Sequence, residues 1–128
     1  MKILLDTVVF LQIISGTSTI SKKSINLFSD SDNDIYLSVV SIWEILVKYN
    51  LGKLPLPEIP DVMITAQAAV HDIHILPLDE QSVYTLLKIP RYHNDPFDRM
   101  LVCQALHHNM TIITPDKQIK KYKVSVAW

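Results

Sequence analysis

Four carboxylates stand out by where they fall along the chain: Asp6, Glu44, Asp98 and Asp116. Asp6 ends a short apolar run, and Asp116 follows a second such run by two residues. Glu44 lies one turn into a segment that is otherwise mostly apolar, and Asp98 falls just after Pro96. Clustered carboxylates repel one another and resist ionising together, so gathering them is favourable mainly when a cation neutralises them. Oxygen-only ligands select Mg²⁺ or Mn²⁺. Such an ion can hold a phosphodiester oxygen and lower the pKa of a bound water, and a second can stabilise the leaving oxygen, which is the chemistry of a hydrolytic nuclease. Mg²⁺ usually keeps several waters, so two or three direct carboxylate ligands and one acting through water suffice.

Each acid also has a purely structural use. Asp6 and Asp116 can cap the helices that follow them, worth about 1 kcal/mol each. Glu44 can pair with Lys48 at i, i+4, and Asp98 favours its own helix N-terminus through the dipole. Chemistry becomes the better account only if the fold brings the acids together.

The elements predicted from the sequence do so. Lys2–Asp6 (KILLD) is a continuous apolar run of the kind buried on both faces of a sheet. Val8–Ser15 reads as a helix stopped by Ser15-Gly16, and Ser18–Ser29 as a second, with Thr17 or Ser18 as its cap. Asp34–Ser38 is a second strand. Ser41 then caps a helix whose apolar positions Ile42, Ile45, Leu46 and Tyr49 keep the 3.6-residue period until Leu51-Gly52-Lys53. The prolines of Leu54–Pro60 impose a loop, after which Asp61–Val70 is helical and His74–Leu76 a short strand. Asp79–Leu87 is a further helix, Lys88–Asp95 a polar loop, and Pro96–His108 a helix with proline in its first turn and Asn109 at its left-handed end. Thr111–Thr114 is a buried strand, Asp116 opens a short helix, and Val124–Val126 adds an edge strand. Alternating strands and helices imply an α/β fold: a mostly parallel sheet of four to five short strands with helices on both faces. Its functional crevice lies outside the carboxyl ends of the strands, where the acids fall.

Composition sets the outer bounds. The 128 residues, 48% hydrophobic, suit one domain spanning 1–128. Apolar stretches such as Val8–Ile14 fall well short of the roughly 20 residues of a membrane span, and the N-terminus lacks a signal peptide's h-region. The expected location is the cytoplasm, with no membrane partner. A lone cysteine, Cys103, excludes an intrachain disulfide and a multi-cysteine zinc site, and it reads as a small buried hydrophobe. The net charge of −1 lacks the global basic field of a nonspecific nucleic-acid binder, although a local basic rim can still neutralise phosphates.

Beyond these features, Asp6-Thr7, SVVSIWEILVKYNLGKLPLP (Ser38–Pro57), HNDPFDRMLVCQAL (His93–Leu106) and TIITPD ending at Asp116 resemble a VapC-like PIN-domain ribonuclease, in the family's order and over nearly the whole chain. The resemblance implies a PIN fold, Mg²⁺ or Mn²⁺ as cofactor and RNA as substrate. It also implies a homodimer and a cognate antitoxin whose C-terminal segment covers the acidic groove. Carried over by position, the site is Asp6, Glu44, Asp98 and Asp116, with Asp6, Asp98 and Asp116 holding the metal directly or through water and Glu44 completing the shell. Asp95 ranks behind them as a helix cap. Thr114 and Ser41 match small hydroxyl positions near the family's site, while Arg99 and Lys48 are candidates for phosphate contacts or for acidic neighbours.

The chain departs from the subgroup pattern at Val8 and Gln12, where relatives often carry His and Trp; this bears on substrate handling more than on catalysis. His93 is expected to be a loop residue, and His107 and His108 favourable charges at a helix C-terminus. Leu27, Phe28, Trp43, Leu46 and Tyr49 offer apolar surface for the core or for a dimer. A haloacid-dehalogenase phosphatase would need a second Asp where Val8 stands, and a response-regulator receiver fits poorly after His74–Leu76. The alternative from a different class is a PIN-fold module that binds RNA or protein without cutting, which would have no reason to keep repelling charges together.

Overall fold

The computed structural model describes residues 1–16 and 19–128. Five strands, β1 (Lys2–Leu5), β2 (Asp34–Ser38), β3 (His74–Leu76), β4 (Thr111–Ile113) and β5 (Ser125–Ala127), form one sheet in the order β3-β2-β1-β4-β5. All neighbours run parallel. β1 is central because it is buried from Ile3 to Leu5 on both faces. Ile3 and Leu5 join Ile35, Leu37 and Ile113 in one apolar cluster, while Leu4 joins Leu76 and Ile112 in the other, the alternation that a pleated strand enforces. On the first face lie α1 (Thr7–Ser15), α2 (Lys22–Ser29) and α4 (Pro60–Val70), with Phe10, Met63 and Ile64 filling the centre. Leu101, Val102 and Ala105 of α6 (Pro96–His108) cover the second. Helix α3 (Val39–Asn50) contributes Ile45 to the first cluster and Val40 to the second.

Several boundaries differ from the sequence-based expectations, each for a local reason. Thr17 and Ser18, the expected caps of the second helix, lie outside the described residues. Helix α2 starts instead at Lys22, because the Ser21 hydroxyl accepts from the Ser24 amide at 3.1 Å. Ser41 does not cap α3. Ser38, the last residue of β2, accepts from Val40 N at 3.0 Å, so strand passes into helix without a loop and Ser41 sits inside the helix. The expected helix Asp79–Leu87 is α5 (Glu80–Tyr84) tightening into a 3₁₀ turn at Thr85–Lys88. Asp116 opens a turn, not a helix; the following 3₁₀ segment is Ile119–Lys121. Gly16 at φ 70° and Asn109 at φ 56° end their helices left-handed, as expected.

One buried polar group locks α6 to the sheet. Gln104 is fully buried; its Oε1 accepts from the Ser38 hydroxyl, and its Nε2 donates to Pro77 O at 3.3 Å. It ties the ends of β2 and β3 to α6, which carries Asp98. Gln104→Leu is expected to strand the buried Ser38 hydroxyl and to cost about 1–3 kcal/mol, read as a lower urea midpoint at unchanged m-value. A midpoint within about 0.5 kcal/mol of wild type, the range of an inconsequential surface change, would contradict this role.

Candidate active site

The strand order reverses beside β1: the chain builds outward through β2 and β3, then returns to add β4 on the other side. Loops leaving β1 and β4 therefore diverge and open a crevice at their carboxyl ends. Leu5 pairs with Ile113, so Asp6 and Thr114 are the next residues in register, and Asp6 N donates to Ile113 O at 3.1 Å. There Thr114 Oγ1 donates to Asp6 Oδ2 at 2.6 Å and accepts from Asp116 N at 3.0 Å. One buried threonine thus links both strand-end acids.

Asp6 stands at the N-cap position of α1, yet its side chain makes no capping bond to that helix. It is turned to the crevice instead. Thr7, at the first position of α1, donates to Ser41 Oγ at 2.8 Å in a buried contact that joins α1 to α3. Ser41 therefore aligns the helix that bears Glu44. Glu44 Oε2 pairs with Lys48 Nζ at 2.5 Å, while its Oε1 is buried with no partner. Asp95 Oδ1 accepts from Phe97 N at 2.9 Å and Asp98 N at 3.1 Å, capping α6 and fixing the turn from which Asp98 projects. Asp116 Oδ1 accepts from Gln118 N at 2.8 Å, so part of its capacity serves its own turn.

Asp6, Glu44, Asp95, Asp98 and Asp116 all line one cleft of about 390 Å³, together with Lys48 and Lys53. Arg99 is not among its lining residues, and Arg99 Nε is buried without a partner. Lys53, which was not singled out in the sequence, reaches the cleft because the turn at Gly52, with φ 71°, folds the end of α3 back. Val8 borders the cleft, and Gln12 lines an adjoining apolar groove of about 410 Å³ that shares Val8, Leu11 and Leu54 with it.

The electrostatics follow from this crowding. Burial, with the charges of Glu44 and Asp116, holds the Asp6 carboxyl above its usual range despite the Thr114 hydrogen bond. Asp98 is pushed up to about 8, first by burial and then by the charges of Asp6, Asp95, Glu44 and Asp116. An unpartnered buried oxygen, several acids that resist joint ionisation and an oxygen-only donor set fit a divalent cation.

A different cluster has tighter ligand spacing. Asp79, His107 and His108 offer ligand atoms within 4.8 Å of one another, the one such group of three among the described residues. His108 Nε2 lies 3.0 Å from Asp79 Oδ1 and His107 Nε2 3.4 Å from Asp79 Oδ2. The Ser82 hydroxyl, followed by His108, draws Asp79 down to about 2. These contacts pin α5 to the end of α6, more than two helical turns from Asp98. Cys103 is buried, with its thiol raised to about 11 by that burial, as suits an inert core residue.

The family model for the PIN domain matches residues 3–124. No protein of curated function matches the chain. Among solved structures, VapBC2 from Rickettsia felis bound to a promoter DNA fragment matches with a TM-score of 0.74 at 14% identity, over 99% of this chain and 98% of that one. DNA-bound VapBC from Salmonella typhimurium gives a TM-score of 0.70 at 14% identity, covering 99% and 97%. VapBC-1 from nontypeable Haemophilus influenzae gives 0.65 at 18%, covering 99% and 97%. At these identities the likeness is one of fold.

Because the folded protein holds the Asp98 and Asp6 protons more tightly than the unfolded chain does, metal-free stability should fall as pH rises from the carboxylate range near 4 through about 8. Melting temperatures in EDTA should decline between pH 5 and 8, and Mn²⁺ should reverse most of the decline. Asp98→Asn should flatten the metal-free profile; a mutant as pH-dependent as wild type would contradict the assignment.

Proposed function

Since this chain belongs to the PIN-domain family, we propose that it is a divalent-metal-dependent endoribonuclease of the VapC-like toxin type, acting in the cytoplasm and restrained by a cognate antitoxin. The observation that carries this reading is the set of acids from four separate elements lining one cleft, with Glu44 Oε1 buried and unpartnered. Asp6, Asp98 and Asp116 are the residues that would hold Mg²⁺ or Mn²⁺, with Glu44 completing the shell. When bound, the cation would neutralise the acids and supply the polarisation of the phosphodiester and the activation of water.

The remaining work falls to the protein's own groups. Thr114 fixes the Asp6 carboxylate through Oδ2, so the acid enters the cleft in one orientation. Asp95 sets the first turn of α6 and with it the direction of Asp98. Lys48, half-exposed and paired with Glu44, and Lys53 form a basic rim able to meet RNA phosphates despite the near-neutral net charge. Arg99, away from the cleft wall, is the weaker candidate for such a contact. On this reading Glu44, beside the acids that would hold the cation, would orient the attacking water, and in-line attack would leave a 5′-phosphate and a 3′-hydroxyl.

Partner contacts follow the same reading. The matched structures are described as VapBC toxin-antitoxin systems, and the apolar groove continuous with the cleft suits an antitoxin segment that covers both. For a homodimer, the surface is narrower than the sequence implied: Leu27 and Phe28 pack on this chain's own core, whereas Trp43 and Tyr49 remain exposed.

Purified protein incubated with a broad RNA pool and Mg²⁺ or Mn²⁺ should give discrete products that EDTA abolishes. Asp6→Asn should lower the rate by about 100-fold or more while keeping a cooperative melt. Product ends should be 5′-phosphate and 3′-hydroxyl; a 2′,3′-cyclic phosphate would make the RNA 2′-hydroxyl the nucleophile and contradict the mechanism. No cleavage of any RNA together with no Mn²⁺ binding would favour the binding module instead.

A further inference from the structure

His93 takes no part in the chemistry described so far, yet it is held against it. The loop before α6 lays its ring over the first turn of that helix, where the His93 and Asp98 side chains are only 15% and 14% exposed. Its Nδ1 lies 2.8 Å from the Tyr122 hydroxyl, and the two rings pack at 5.6 Å with a 60° tilt. Tyr122 is itself fixed: it is buried, its amide donates to Ile119 O at 3.1 Å, and Tyr92 packs edge-on against it at 5.0 Å. The other ring nitrogen, Nε2, is buried without a hydrogen-bond partner and stands 3.5 Å from Asp98 Oδ2.

The neutral ring carries a single N–H, and its neighbours decide which nitrogen bears it. If Nδ1 donated to Tyr122, Nε2 would present a bare lone pair to Asp98 Oδ2. If the Tyr122 hydroxyl donates to Nδ1, the ring proton sits on Nε2 and points at Asp98. Only the second arrangement gives Asp98 Oδ2 a donor from the ring. At 3.5 Å the contact is longer than the usual 2.9–3.0 Å or so of an N–H···O bond, so a small shift of either side chain would be needed to form it.

We infer that His93, oriented by Tyr122, is a positioning residue for Asp98, holding one carboxylate oxygen through Nε2–H so that the other faces the cleft. Groups of this kind, hydrogen-bonded to a ligating side chain, typically change metal affinity about 10–100-fold when removed. The inference rests on the proposed function only in taking Asp98 as a cation ligand.

The test is Mn²⁺ affinity by calorimetry on the full chain without RNA, beside thermal melts. His93→Ala should weaken binding by about 10-fold or more, and His93→Gln, whose amide can still donate toward Asp98, should recover most of the loss. Tyr122→Phe, which removes the hydroxyl that fixes the tautomer, should give a smaller loss. In an Asp98→Asn background His93→Ala should add nothing further, because the group it positions is no longer a charged ligand. Equal affinities for wild type and His93→Ala, or an equal loss in the presence and absence of Asp98, would overturn the role. No Mn²⁺ binding by wild type would remove the cation-site reading itself, and this role with it.

Discussion

Repulsion between carboxylates that the fold forces together is the constraint on which this structure turns. Asp6 and Asp98 are each raised by burial and by their acidic neighbours, so the cleft is maintained against an electrostatic cost that packing elsewhere must offset. Two hydrophobic faces of a five-stranded parallel sheet supply that packing. The acids stand at its carboxyl edge because the strand order reverses there, between β1 and β4. A group that costs stability yet recurs from four separate elements is better explained by what it can bind than by what it holds together.

The supporting contacts divide the task of aiming those acids. Thr114 bridges the two strand-end residues, accepting from one backbone and donating to the other side chain. Ser41 works at a distance, through Thr7, by registering α1 against α3. Gln104 anchors α6 to the ends of β2 and β3, and Asp95 shapes the turn of that helix from which Asp98 emerges. Small hydroxyl and amide groups thus do the aligning, while the charged residues line the cleft, Glu44 with one oxygen buried and unpartnered.

Much of this was legible in the sequence where the signal was local. The continuous apolar runs marked β1 and β4, the glycine and asparagine stops ended α1 and α6, and the acids fell where an α/β topology opens a crevice. What sequence could not resolve was which of several adjacent serines would take a helix end. Ser38 caps α3 in preference to Ser41, and Ser21 caps α2, because each cap depends on backbone direction at a strand or loop junction. Contacts between residues far apart in sequence were equally hidden. Lys53 reaches the cleft only by way of the Gly52 turn, and His93 meets Tyr122 across 29 positions. Arg99 shows the converse: adjacency to Asp98 along a helix turns its side chain about 100° away, off the cleft wall.

Among the described residues, the acidic cleft and a second cluster bring metal-ligating side chains together, and they separate the account from its simplest rival. The acidic cleft offers oxygen donors from four elements, whereas Asp79, His107 and His108 form a tighter nitrogen-and-oxygen group between α5 and α6. Anomalous diffraction from crystals grown with Mn²⁺ distinguishes them directly. A peak inside the cleft, within ligand distance of Asp6, Asp98 or Asp116, is the predicted result. A peak at Asp79, His107 and His108 with none in the cleft, or no peak at either, would contradict the claim that the gathered carboxylates exist to bind a cation.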